Sequence, residues 1–121
     1  MENTNAKRVL RHIRLRRKVT GCQERPRLSF FRSLHFIYAQ VIDDSKGTTL
    51  LAGSTKDASF RTTNKLASFK NKEAAKLLGE AIGKMIVDKG IKQIVFDRGG
   101  FHYHGVVKEF ADAVRKEGVS F

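Results

Sequence analysis

The sequence holds one cysteine, Cys22, so no disulfide can form within the chain. A secreted disulfide scaffold is excluded, and a reducing compartment is expected. No stretch approaches the roughly 18 consecutive apolar residues of a transmembrane helix. The N-terminal region lacks the apolar core, roughly 7–15 residues long, of a signal peptide. Its arginines are reminiscent of an organelle transit peptide, but they lead straight into a strand pattern with no cleavage context, so none is expected. Acids are scarce. Twelve Asp and Glu face 24 Lys and Arg, a formal net charge of +12 at pH 7, and the pI is near 10.3. Such an excess points to a polyanionic partner, either nucleic acid or an anionic membrane. A length of 121 residues suits one domain, and 40% hydrophobic content is enough for a core.

The charge is concentrated. Residues 1–32 hold ten bases (Lys7, Arg8, Arg11, Arg14, Arg16, Arg17, Lys18, Arg25, Arg27 and Arg32) and two acids (Glu2 and Glu24), a net +8. The rest of the chain carries 14 bases and 10 acids. A basic arm, residues 1–24, therefore precedes a globular body, residues 25–121, that is nearly balanced beyond residue 32. Like charges this dense repel one another, so the arm is expected to be mobile when free and ordered when bound. Ala6, Val9, Leu10 and Ile13 fall at helical spacing, and Arg8, Arg11 and Arg14 form a stripe on another face. A membrane-surface helix needs a broader apolar face with larger anchors. A solvated basic face is the plain alternative. Binding to an RNA or DNA backbone suits the segment better, because Arg predominates and its planar fork fits phosphate and stacked bases.

In the body, Arg27–Ser33 alternates, with Leu28 and Phe30 on one face and Arg27, Ser29 and Phe31 on the other. Phe36–Ile42 is aromatic and branched, Asp43 to Gly47 signals a turn, and Thr48–Thr55 reads as a third strand. Three strands joined this closely make an antiparallel meander. The polar stretch 56–70 reads as a loop, a possible second anion contact through Lys56, Arg61, Lys65 and Lys70. Asn71 suits a helix cap. Ala74, Leu78, Ala81, Ile82, Met85 and Ile86 repeat at three and four, and Gly90 ends that helix. Ile91–Phe96 reads as a buried parallel strand. After a loop at 97–105 a second helix presents Val106, Val107, Phe110, Ala111 and Val114, and Gly118 stops it. The order is β-β-β-α-β-α behind a basic arm. It predicts an α/β structure with a mixed sheet of about four strands and helices on both faces.

The densest constellation is Phe96-Asp97-Arg98-Gly99-Gly100-Phe101-His102-Tyr103-His104-Gly105, where a strand ends and a helix begins. Ligands bind at the carboxyl ends of strands in such sheets, and helix N-termini favour phosphate. Glycines let a backbone approach an anion closely. Arg98 adds a bidentate donor, and Phe101, Tyr103 and His104 offer faces for stacking. The alternative is a tight turn with core aromatics. His102 and His104, with His12 and His35 elsewhere and no second cysteine, do not make a structural zinc site. No nucleophile elbow occurs. A two-metal nuclease would need convergent carboxylates, with Asp43, Asp97 and Asp112 as candidates. Each has a simpler reading: a turn for Asp43, pairing with Arg98 or a loop cap for Asp97, and an amphipathic helix for Asp112.

Several blocks together resemble a known family. They are Arg25-Pro-Arg-Leu-Ser-Phe-Phe-Arg-Ser33, Ile37-Tyr-Ala-Gln-Val-Ile-Asp-Asp44, Val95-Phe-Asp-Arg-Gly-Gly100, Tyr103-His-Gly105 and Phe110-Ala-Asp-Ala113. In order and spacing they are similar to bacterial ribosomal protein eighteen of the large subunit, over almost the whole chain. The resemblance implies a non-enzymatic, cytoplasmic protein of the large ribosomal subunit with no cofactor, membrane or small-molecule substrate. It implies 5S rRNA and 23S rRNA as partners at the central protuberance, beside neighbouring 5S-binding ribosomal proteins. By position it marks Arg25, Arg27, Arg32 and Ser33 as first-strand RNA contacts. Arg98, Gly99, Gly100, Tyr103, His104 and Gly105 are marked as loop contacts. Arg8, Arg11, Arg14, Arg16, Arg17 and Lys18 of the arm are expected to neutralise phosphates. The chain departs from the family pattern at Leu34-His35-Phe36, where the family usually has Asn-Lys-His, and at Val106, where an Arg is common. Both departures remove polar or cationic groups.

Overall fold

Alternating burial builds the sheet. Strand β1 (Arg27–Arg32) buries Leu28 and Phe30, and β2 (Ile37–Asp43) buries Ile37, Ala39, Val41 and Asp43. Strand β3 (Thr48–Ser54) buries Leu51 and Ser54. The computed structural model describes residues 4–17, 20–103 and 105–121. The meander is antiparallel: Leu28 lies opposite Val41 and Phe30 opposite Ala39, while Val41 lies opposite Leu51. A bulge between Val41 and Ile42 shifts the register, so that Ile42 meets Thr49. Strand β4 (Val95–Asp97) adds parallel to β1, pairing Leu28 with Phe96 and Ser29 with Asp97. The sheet order is β3-β2-β1-β4.

Four helices complete the fold: α1 (Thr4–Arg16), α2 (Ala58–Thr63), α3 (Lys72–Asp88) and α4 (Val106–Lys116). The Asn71 side chain accepts from the Ala74 N–H and caps α3. Gly90, at φ +77°, supplies the left-handed turn that ends it. Leu78, Ile82 and Ile86 of α3 and Phe110 and Val114 of α4 form one core with the even-numbered face of β1. The Phe30 and Phe110 rings stand 5.2 Å apart, within the range of attractive aromatic pairs.

Four expectations need correction. The helices at 71–89 and 106–117 do not straddle the sheet. Both cover the Leu28–Phe30 face, and among the described helices it is α1 that reaches the other face, along the β1–β4 side. The strand expected at Ile91–Phe96 is three residues long, Val95–Asp97. Upstream, Gln93 bridges Ser120, and Lys92 and Ile94 exchange backbone hydrogen bonds with Ser120. The end of the chain thus takes the partners that β1 does not. Residues 56–70 are not all loop, because Phe60 buries its ring and anchors the short α2. Of the two readings of Asp97, the loop cap holds, through the Gly99 N–H, but the arginine it pairs with is Arg27 rather than Arg98.

α3 and α4 approach closely because glycine faces the contact. A Cβ on Gly79 would lie 2.6 Å from the Phe110 carbonyl oxygen and 2.7 Å from the Ala113 Cβ. The first is helix backbone and the second is bonded directly to it, so neither can step aside singly. Gly79→Ala gains about 1 kcal/mol of helix propensity but overpacks the contact at a cost of about 1–3 kcal/mol. The expected net result is a lower urea midpoint; a raised midpoint would show that the helices separate freely.

Candidate nucleic-acid interface

The glycine loop begins where β4 ends. Asp97 pairs with Ser29, so its side chain points to the sheet face opposite the core helices. There its Oδ1 accepts from the Gly99 N–H at 2.9 Å and folds the chain back. Gly99 and Gly100 both have positive φ, +65° and +80°, which L side chains rarely adopt. A Cβ on Gly99 would run into the Phe30 carbonyl, and one on Gly100 would overlap the Arg8 carbonyl oxygen. Gly99 therefore lets the loop close on strand β1, and Gly100 lets it close on helix α1.

α1 docks through its polar side. The Arg8 Nη1 donates to the Gly99 carbonyl at 2.9 Å, and the Arg11 Nε donates to the Gly100 carbonyl at 2.8 Å. His12 Nε2 lies 3.1 Å from Asp97 Oδ2, and Arg16 Nη1 lies 3.6 Å from Asp44 Oδ2. Residues 8, 11, 12, 15 and 16 are partly buried and follow helical spacing. Apart from Leu15, the large apolar residues point away: Val9 is 45% exposed, Leu10 53% and Ile13 48%. The guanidinium of Arg8 also lies over two rings, 5.0 Å from the centroid of Phe101 and 5.6 Å from that of Phe31. That geometry suits cation–π attraction.

Beneath the helix, Arg27 joins three segments. Its Nε and Nη2 donate to the two oxygens of Asp44, at 3.0 and 3.2 Å, and its Nη1 donates to Asp97 at 2.8 Å. The Asp97 side chain is fully buried and that of Arg27 is 12% exposed. The Gly21 N–H donates to Asp44 at 2.7 Å, bringing in the chain ahead of β1. Burial works against the Arg27 charge, but the two carboxylates outweigh it and hold its pKa above the ordinary value. The Arg27 hydrogen bond holds the Asp44 carboxyl below its ordinary value against the opposing effect of burial, with help from Gly21 and Arg16.

The remaining candidates are scattered around this centre. Arg14 and Arg17 point outward. Arg25 is exposed and reaches the Ile94 carbonyl at 3.5 Å. Arg27 and Arg32 are both on β1 but on opposite faces, since Arg27 pairs with Ile42 and Arg32 with Ile37. Ser33 closes the β1–β2 turn, its hydroxyl accepting from the Phe36 N–H and donating to the Phe36 carbonyl, both at 3.1 Å. Arg98 is partly buried, and Tyr103 lies beside the Arg115 guanidinium, 5.8 Å from ring centroid to cation. Arg32, His102, Gly105 and Lys72 line one hollow at the start of α4. Val106 opens that helix, and Leu34 is exposed. Lys18 and His104 lie outside the described residues. Sequence reasoning did not single out His12 or Asp44 as site residues. His12 carries a signal, since it continues the Arg8–Arg11 stripe; Asp44 looks like any turn acid until Arg27 is placed beside it.

A family model described as ribosomal L18 of archaea, bacteria, mitochondria and chloroplast matches residues 2–121. The chain belongs to the ribosomal L18 family. The large ribosomal subunit protein uL18 of Thermoanaerobacter sp. (strain X514) is 57% identical over 119 residues, covering 98% of this chain and 96% of that protein. The uL18 of Dictyoglomus turgidum is 55% identical over 114 residues, covering 94% and 92%. That of Pseudothermotoga lettingae is 52% identical over 120 residues, covering 99% and 97%. The L18 family is one of structural ribosomal proteins, not of enzymes. The three carboxylates considered for catalysis each have their own protein partner. Asp43 accepts from the Ser45 N–H, Asp97 from Arg27, and Asp112 from Lys108.

The Asp44 pairing has a pH signature. Its folded pKa is depressed, so the stability it contributes is present above the ordinary carboxylate pKa of about 4 and is lost as pH falls through the lower folded value. Asp44→Asn is expected to lower the urea midpoint at neutral pH. The gap to the parent protein should close as pH falls below the ordinary carboxylate range. A gap that stays constant with pH would show that the charge of Asp44 is not what holds Arg27.

Proposed function

We propose that this chain is a structural constituent of the large ribosomal subunit, in the cytoplasm, which binds 5S rRNA and helps attach it to 23S rRNA at the central protuberance. Neighbouring 5S-binding ribosomal proteins complete the site. The observation that carries the reading is that the most basic part of the chain is seated on the glycine loop. Arg8 and Arg11 each hold a loop carbonyl, while Arg14 of the same helix and Arg17 just past its end face outward. The arm (1–24) and the body (25–121) then present one cationic surface to RNA.

The arginines divide by task. Arg14 and Arg17, with Lys18 next in the chain, neutralise phosphates. Arg25, Arg32 and Arg98, with Ser33, Tyr103, His104 and Gly105, make the body's contacts with structured RNA. Arg8, Arg11, Arg16 and Arg27, with Gly99 and Gly100, position the surface through contacts inside the protein. Leu34, Phe36 and Val106 contribute no charge where the family commonly has polar or cationic residues.

A competition titration tests this reading. Labelled 5S rRNA is challenged with unlabelled 5S rRNA or with tRNA, in magnesium at near-physiological salt. 5S rRNA should compete far better; equal competition would reduce the reading to nonspecific charge. The doubly substituted Arg14→Ala/Arg17→Ala protein should weaken binding. Its log–log salt slope should be shallower by about 0.9 for each duplex phosphate that is no longer neutralised. An unchanged slope would remove the helix from the phosphate surface.

A further inference from the structure

The two faces of the sheet are covered unequally. α3 and α4 bury the face of Leu28, Phe30, Ala39 and Val41. On the other face Phe31 lies opposite Tyr38, and Ser29 lies opposite Gln40, which is itself opposite Ala52. Among the described residues α1 reaches this face at the β1 side through Arg8, and the Phe101 ring stands 6.3 Å from that of Phe31. Phe31 is 43% exposed. Gln40 and Ala52 are exposed and Tyr38 is half-buried. The Phe31 and Tyr38 rings are 6.2 Å apart and inclined by 39°.

We infer that this open face is a second RNA-contact surface, on which unpaired bases stack against Phe31 and Tyr38. The inference rests on RNA being the partner and adds a site to it. Three features favour single-stranded nucleotides as the occupant. Two adjacent strands display aromatic rings side by side, and base–aromatic stacking is tolerant of sequence. Gln40 stands one pair further along the same face, with an amide that can both donate to and accept from a base edge. Cations flank the rings. Arg8 lies over Phe31 on one side, and Lys56 lies near Phe36 and lines the hollow beside Tyr38 and Gln40 on the other. The one carboxylate at that hollow, Asp57, accepts from the Ser54 N–H at 3.0 Å. An acidic protein surface would match the cations but has no use for paired ring faces. A duplex cannot splay its bases onto them.

Binding of the full chain to 5S rRNA, to an unstructured single strand of about a dozen nucleotides, and to a duplex of the same length tests the inference. Tyr38→Leu and Phe31→Leu should each weaken the single strand and 5S rRNA by about tenfold, the effect of removing one stacked base. The duplex should be little affected. The salt slope should not move, because stacking releases no counterions. Gln40→Ala, at an exposed position, should weaken the single strand with the melting temperature preserved. The chain has no tryptophan and two tyrosines, so in the Tyr103→Phe protein tyrosine emission reports on Tyr38 alone. Single-strand binding should quench it, and Tyr38→Phe in the otherwise unchanged protein should keep the affinity. Equal weakening on single strand and duplex, unchanged affinity in the folded Tyr38→Leu protein, or unquenched emission in the Tyr103→Phe protein would each overturn the inference. If 5S rRNA outcompetes tRNA but these variants bind normally, only the platform fails and the face belongs to a protein neighbour. If 5S rRNA has no advantage but Tyr38→Leu still weakens the single strand, the platform stands and the 5S reading fails.

Discussion

The Arg27 guanidinium, held between Asp44 and Asp97, is the point on which the basic side of this molecule depends. A planar fork of five donors can meet one carboxylate with two nitrogens and a second with another, and here it does. The two acids come from the end of β2 and the end of β4, so one side chain on β1 ties the meander to the crossover strand. Removing one acid would leave an arginine with little access to water and half its counter-charge, a situation that ordinarily costs about 3–5 kcal/mol when a pair is fully buried. The same acids also receive α1, through His12 and Arg16.

That second role resolves a conflict in the charge pattern. An arm with seven bases and two acids, a net +5, should not rest on a body that is itself basic, with 17 bases and 10 acids. It does so because the docking patch is locally not basic. Two carboxylates lie in it, and two loop carbonyls, those of Gly99 and Gly100, are turned toward the helix as acceptors. Gly100 serves this contact by having no Cβ in the way. The same property would serve a phosphate, which is why the sequence pattern points equally to either occupant.

The meander and the two long helices were legible because period-two and period-three-to-four burial is written in residue type, and Asn71, Gly90 and Gly118 punctuate it. What was not legible depends on residues distant in the chain. The short β4 follows from Ser120 taking the hydrogen bonds of Lys92 and Ile94. The Arg27–Asp97 pair requires knowing that β4 lies parallel to β1. α2 is a single turn and a half around Phe60, too short to show a period. α1 reads correctly as a helix, but its inward face is the polar one. A hydrophobicity pattern assigns such a helix the wrong way round.

That orientation has an energetic consequence. α3 and α4 are held by fully buried aliphatic and aromatic side chains, each worth about 1.5–3 kcal/mol. α1 keeps Val9, Leu10 and Ile13 outside and is held by hydrogen bonds and partly exposed ion pairs. Such contacts contribute about 0.5–1.5 kcal/mol for a hydrogen bond and about 0–1 kcal/mol for an exposed pair, which salt weakens further. The helix carrying the densest positive charge is therefore the element least strongly held. A polyanion lying across Arg14 and Arg17 would relieve the repulsion within α1 without competing for Asp44, Asp97 or the loop carbonyls, because those groups are engaged on the opposite side of the helix. Binding and docking then reinforce each other, and the arm gains order from the partner that its charge attracts.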